Sequence, residues 1–388
     1  MKASTYVIIA LISLALAFAI SHADLFSPAD YDFSSDLPTD NIEHEATEYT
    51  TYYEQLTDFE KNLYDALAKT VSRGRKSVSI DNVNVADFKA SILKVCEALQ
   101  YDHPEYFWFS VGCSYSYPKN EAVGEITIEP KYYDYVSSLF EFQDKKRALL
   151  NAAEQVASLA ESHSADDFER IKFVHDYLVE NAVYDHKALE EYEKASKSPS
   201  CDYIFSAYGC LVNGKTVCAG YAKAFQLIMH QLGYDCTYVV GDAGEAHAWN
   251  CVYLDGDGYF IDVTWDDHDY EKEIPVYNYF LITGNDLSKT HTIDDTFQVP
   301  VCTASEYNYF VKKGFYLEKY SYDAVKDILL EQKDNDGAHI KFGSRLALET
   351  AKNELIKKRK INQIFSKNEK FYYTYNEKHY TLTILLDY

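Results

Sequence analysis

Asn213-Gly214-Lys215-Thr216-Val217-Cys218-Ala219-Gly220-Tyr221-Ala222-Lys223-Ala224-Phe225 is the stretch from which the fold is read. Asn213 and Gly214 belong to a loop. After Cys218, apolar residues recur at helical spacing: Ala222, Phe225, Ile228, Met229 and Leu232, with Gly233 as a stop. The spacing predicts a helix with Cys218 at or near its N-terminus. The unpaired N–H groups and the positive dipole end at that position favour an anion, here a thiolate nucleophile. The blander readings are a small buried residue at a loop–helix junction, or half of a disulfide. Cys218 alone does not choose between them.

The residues that follow give it company. His247 to Leu254 alternates as a strand does, Asp255-Gly256 is a hairpin turn signal, and Tyr259 to Trp265 reads as the returning strand. If Leu254 pairs with Asp257, Asp262 lies opposite Trp249, which shares a face with His247. Asp262 is then the diagonal neighbour of His247, within side-chain reach. One face of one hairpin carries an imidazole and a carboxylate. The carboxylate can fix the tautomer while the other ring nitrogen addresses a thiol.

Gly-Lys-Thr-Val-Cys-Ala-Gly-Tyr-Ala at 214–222, His-Ala-Trp-Asn at 247–250 and Asp-Val-Thr-Trp-Asp-Asp at 262–267 together resemble the transglutaminase-like superfamily. The likeness is to its secreted microbial branch, related to the kyphoscoliosis-peptidase type. It implies an α+β fold: a papain-like core in which a helix bearing the cysteine packs on an antiparallel sheet bearing His and Asp. It also implies a triad of Cys218 as nucleophile, His247 as general base and Asp262 as orienter, acting on amide bonds through a thioester. Water as acceptor makes a peptidase or amidase, the reading preferred here. A primary amine makes a cross-linking transferase. A catalytically inactive binding module on the same fold, or a structural protein with Cys218 in a disulfide, are the non-enzymatic alternatives.

The rest of the chain frames this segment. Met1 to Ala23 reads as a secretory signal, with Lys2 ahead of an apolar Val7–Ile20 run and a small-residue Ser21-His22-Ala23 cleavage site. Residues 24–50 are a polar linker, 51–160 a mixed, mainly helical region, 161–288 the catalytic domain, and 289–388 a small α+β region. Helices are expected over Val85–Leu99, Arg147–Leu159, Asp166–Glu180 and Leu346–Lys360. A strand is expected at Tyr277–Thr283, and a surface loop at His186–Ser200. With 37 basic and 61 acidic residues the net charge is −24, which repels nucleic-acid phosphates and anionic membranes. The expected partners are extracellular or cell-surface proteins and peptides, with no nucleic acid and no stable membrane insertion of the mature chain.

No cofactor and no metal are expected. Asp102-His103-Pro104-Glu105 and His175-Asp176 offer ligand chemistry, but the first reads better as a turn before an aromatic strand and the second as structural. The eight cysteines contain no Cys-x-x-Cys spacing. In an exported chain some of them can pair. With Cys218 kept free, Cys201 with Cys210 is the pair that sequence distance favours, and it would brace the loop before Cys218. Cys236 and Cys251 are expected on adjacent strands. Tyr208 and Tyr184 are candidate oxyanion donors beside the Cys218 backbone N–H.

Overall fold

A computed structural model describes residues 51–118, 122–133, 139–194, 199–267, 275–333, 337–365 and 370–387. The expected signal and polar linker lie outside the described residues. None of the described helices is long and apolar enough to cross a membrane.

The first region pairs helices α1 (Asp58–Val71) and α2 (Val85–Asp102) with strands β1 (Val78–Asn84), β2 (Phe109–Ser116) and β3 (Val123–Tyr132). The strands form an antiparallel sheet of order β1-β3-β2. Local chemistry sets both helix starts. The Thr57 hydroxyl accepts from Glu60 N–H at 3.3 Å while Glu60 Oε2 accepts from Thr57 N–H at 2.9 Å, a capping box for α1. Asn84 Oδ1 accepts from Ala86 and Asp87 N–H and so caps α2.

The central region holds α3 (Leu139–His163), α4 (Asp167–Asn181), α5 (His186–Lys194) and α6 (Cys218–Gln231). Its sheet contains β4 (Cys236–Asp242), β5 (Ala246–Leu254), β6 (Asp257–Ile261) and β7 (Thr292–Ile293), in the antiparallel order β6-β5-β4-β7. Helix α6 runs against β4 and β5, with α3 and α4 packed alongside it. This is the α+β arrangement expected, with the cysteine helix on the His-bearing sheet. Leu254 pairs with Asp257, the register anticipated for the hairpin.

Every residue of α6 from Gly220 to His230 is buried. Its polar members therefore need internal partners. Lys223 Nζ donates to Phe205 O, Gln226 Nε2 to Tyr101 O and Cys236 O, and the His230 imidazole meets Cys236 O at 2.9 Å. Burying Phe225, Ile228 and Met229 contributes about 1.5–3 kcal/mol each.

The last region adds α7 (Val263–Asp266), directly after β6, then α8 (Tyr322–Glu331), α9 (Arg345–Ala351) and strands β8 (Tyr316–Leu317), β9 (Gly337–Phe342), β10 (Lys370–Asn376) and β11 (Thr381–Asp387). Their sheet order is β8-β9-β11-β10, parallel only between β8 and β9. One apolar cluster runs from Tyr52 through Phe225 to Ile384, so the three regions share a continuous core.

Four expectations need correction. The segment expected as a loop at 186–200 begins with helix α5. The returning hairpin strand stops at Ile261, and Val263–Asp266 turns into α7. Residues 277–283 form no regular strand, only a bridge between Ile282 and Phe260. The helix expected to reach Lys360 holds α-helical geometry only over α9 and then widens into a π turn at Lys352–Lys357.

Candidate active site

Cys218 opens α6, with Val217 in extended conformation as the residue before it. The loop that delivers it is pinned from behind. Thr216 Oγ1 donates to Ile204 O at 2.9 Å and Val217 N–H to the same carbonyl at 3.1 Å. Gly220 makes this approach possible: a Cβ there would sit 1.8 Å from Thr216 Oγ1 and 2.8 Å from two backbone carbonyls. Cys218 itself is only partly buried, so a ligand can reach it.

His247 lies near the start of β5, and its Nε2 meets Asp262 Oδ2 at 2.8 Å. That contact leaves Nδ1 for the Cys218 sulfur, which lies within side-chain interaction range of the imidazole. Burial works against a charged His247. The Asp262 carboxylate and the Cys218 sulfur outweigh it and hold the imidazole well above its ordinary range. Asp262 is fully buried, which disfavours its anion, yet His247 and His291 hold it down at about 2.

Asp262 leaves the sheet rather than continuing it. Its Oδ1 accepts from Trp265 N–H at 3.2 Å and caps α7. The same carboxylate thus ends a strand, starts a helical turn and binds the histidine. The structure brings together the three residues expected of the site: Cys218, His247 and Asp262.

A fourth group was not anticipated. His291 Nε2 lies 3.1 Å from Asp262 Oδ2, and its Nδ1 contacts Thr290 Oγ1 at 2.8 Å. Two imidazoles therefore share one carboxylate oxygen. His291 is buried among Trp249, Trp265 and Tyr279, with ring centroids 4.7–5.4 Å away. The sequence carries no periodic or motif signal for it, because it arrives on an irregular segment ahead of β7.

His247, Asp262 and His291 also form the described cluster with metal-ligand spacing, their donor atoms lying within 4.8 Å of one another. Their mutual hydrogen bonds account for that convergence. A cation at the centre would have to displace the His247–Asp262 contact. The cluster therefore fits a hydrogen-bonded relay better than a resident metal.

Two other buried groups flank the thiol. Lys223 is pushed down to about 8 by burial, against a small opposing pull from Cys218. Burial, with the nearby Cys218 and Glu245, pushes the Tyr184 phenol up. Tyr208, the other phenol considered, stacks on Phe107 at 5.1 Å.

The motifs set aside as structural have structural partners. His175 Nδ1 meets Asp176 Oδ1 at 2.9 Å, and its Nε2 lies 3.4 Å from Asp266 Oδ2. Asp102 accepts from Tyr52 N–H, Tyr53 N–H and the Tyr64 hydroxyl, while His103 pairs with Glu105. None of the eight cysteines is bonded to another in this structure. Cys201 and Cys210, the pair expected from sequence, are not bonded to each other and belong to different apolar clusters. Cys236 and Cys251 do lie on adjacent strands, β4 and β5, in different clusters.

Part of the chain is similar to known proteins. Residues 154–263 match the model of the Transglutaminase-like superfamily. A segment is 30% identical over 120 residues to Kyphoscoliosis peptidase of Mus musculus, covering 28% of this chain and 17% of that protein. The human Kyphoscoliosis peptidase is 29% identical over the same length and coverage. The match thus spans about a sixth of the length of these relatives. A crystal structure of a TGase is 13% identical, with a TM-score of 0.31, covering 50% of this chain and 52% of that one. Residues 154–263 are thus similar to the transglutaminase-like superfamily.

Proposed function

We propose that the protein is a cysteine amidase or peptidase acting on proteins or peptides, with Cys218, His247 and Asp262 as its catalytic triad. The observation that carries this reading is the chain from a partly exposed thiol at a helix start, through a buried imidazole, to a carboxylate held ionised. His247 Nδ1 takes the Cys218 proton, and Asp262 stabilises the imidazolium through Nε2. The sulfur attacks the amide carbonyl. The tetrahedral oxyanion faces the Cys218 backbone N–H at the first turn of α6, with the Tyr184 phenol as the second donor. The imidazolium then protonates the leaving amine, and water activated by His247 releases the acid from the thioester.

Hydrolysis is preferred over transfer to an amine on the kinship with peptidases in name. We also propose that the protein acts outside the cytoplasm, as the Met1–Ala23 leader suggests. Recovery of secreted chain beginning at Asp24 supports that location, and chain retained with Met1 intact refutes it.

The test for chemistry is iodoacetamide labelling of native protein, followed by peptide mass at Cys218 between pH 5 and 9. Labelling at pH 6 should be fast and should fall at least about tenfold in His247→Ala. A peptide library then reports products with and without a primary amine. New carboxyl termini without added amine mean hydrolysis, and products formed only with amine mean transferase. A Cys218 labelled no faster than a free thiol, with no product in either assay, leaves the binding module as the reading.

A further inference from the structure

Outside the triad, the described thiols are not evenly spread. Cys251 Sγ and Cys302 Sγ lie 3.5 Å apart, both buried in one apolar cluster with Trp249 and Phe260. Cys251 is on β5, four residues after His247. Cys302 sits at the end of the irregular segment that delivers His291, where its backbone carbonyl accepts from Gly284 N–H at 2.7 Å. Room for the two sulfurs is made by a third element. A Cβ at Gly258 of β6 would lie 3.1 Å from Cys302 Sγ and 3.4 Å from Cys251 Sγ. Any larger residue at 258 would press on both.

We propose that Cys251 and Cys302 are a modification site: they close as a disulfide that staples the His291-bearing segment to the strand carrying His247. A sulfur–sulfur bond of about 2.05 Å requires the two atoms to close by roughly 1.5 Å, within the adjustment of two side-chain torsions. The oxidant is a disulfide of the glutathione class, or a protein disulfide of equal potential. One cysteine thiolate attacks the reagent disulfide and expels one reduced thiol. The second cysteine thiolate then attacks the mixed disulfide and expels the other. Overall the protein loses two thiol hydrogens and gains one S–S bond, and one reagent disulfide becomes two thiols. Val301, beside Cys302, is 87% exposed, so the segment lies at the surface and a local opening admits the reagent. The loop that closes contains both Asp262 and His291, so cross-linking restrains two members of the buried relay relative to the third.

This proposal is independent of whether Cys218 is catalytic. Reduced, unfolded full-length protein is refolded in a mixture of reduced and oxidised glutathione, quenched in acid and alkylated in guanidinium without reductant. The expected digest contains a Cys251–Cys302 linked peptide as the main form of both residues, and alkylated Cys201, Cys210, Cys218 and Cys236. Recovery of Cys251 and Cys302 as separate alkylated thiols overturns the proposal. So does a digest in which Cys96 and Cys113, whose thiols also contact each other, are the only linked pair. As a second readout, Cys302→Ser should lower Tm by about 5–10 °C under oxidising conditions. That difference should largely vanish in dithiothreitol. An equal Tm difference under both conditions means lost packing without a bond, and also overturns it.

Discussion

At the scale of single residues, the unusual feature is one carboxylate oxygen shared by two imidazoles. Asp262 Oδ2 faces His247 at 2.8 Å and His291 at 3.1 Å. His291 cannot reach substrate from its aromatic enclosure, so its effect passes through Asp262 and it is a positioning residue. Asp262 has a depressed pKa, so its anion is present above about 2 and is lost as pH falls through that value. Removing His291 removes part of what holds the pKa down, and the acid limb should move upward. Cys218 labelling in His291→Ala should then fall more at pH 5 than at pH 8, with His291→Gln in between. Parallel pH profiles for the variant and the unaltered protein would restrict His291 to a packing role. Cys218, His247 and Asp262 were each legible because a local pattern surrounds them: a helix period, a strand alternation and a hairpin turn. His291 lies 29 residues beyond Asp262 on irregular chain, where no period exists to read. Its partner is set by tertiary packing alone.

At the scale of elements, the chain was legible where apolar residues repeat and misread where they do not. Helix α5 is largely exposed, with Ala188 buried and Leu189 and Tyr192 half-buried. Its apolar side is short, Ala188 and Leu189 against Ile204 and Val217 with Tyr192 on Phe205, and it is interleaved with the exposed charges of Lys187, Glu190, Glu191 and Lys194, so it is easily read as a polar loop. The end of β6 was misplaced for a different reason. Val263 and Trp265 have strand-forming side chains, but Asp262 binds Trp265 N–H and starts α7 instead. Asp102 shows the same economy at the end of α2. Read in the sequence as part of a turn, it receives the chain entering at Tyr52 and Tyr53. Burial raises its pKa to about 6, opposed by those backbone donors. Asp102→Ala strips acceptors from two backbone N–H groups and from the Tyr64 hydroxyl. It should cost about 2–4 kcal/mol, measured as a lower urea midpoint at unchanged m-value. Asp102→Asn keeps some of the acceptors and should cost less. A loss below about 0.5 kcal/mol for Asp102→Ala would show that the entering segment does not depend on this anchor.

At the scale of the whole molecule, the regions meet over a second buried acid–base pair behind the first. His175 comes from α4 and Asp266 from α7, four residues after Asp262, and Tyr279 N–H binds Asp266 at 3.0 Å. Tyr279 in turn packs on His379, next to β11. Burial opposes a charged His175, but Asp176 and Asp266 raise it from 6.5 to about 9. A raised histidine contributes stability that is complete below pH 6.5 and is lost as pH climbs through 9. Burial drives Asp266 from 3.8 up to about 7, against His175 and the Tyr279 N–H. Ionising Asp266 in the folded state is thus disfavoured, and its effect also lowers stability as pH rises, between about 4 and 7. The two groups share a contact and titrate as a pair, so their effects merge into one decline rather than two steps. Stability should peak on the acid side of neutrality and fall by about 2–3 kcal/mol between pH 6.5 and 9, screened in part by solvent relaxation. Urea midpoints at pH 6 and pH 9 measure it directly. His175→Gln should be less stable than the unaltered protein at pH 6 and should flatten the fall toward pH 9. If the variant keeps the same alkaline slope, the decline belongs to other groups, with mutual repulsion among the excess acidic residues the next to test by adding salt.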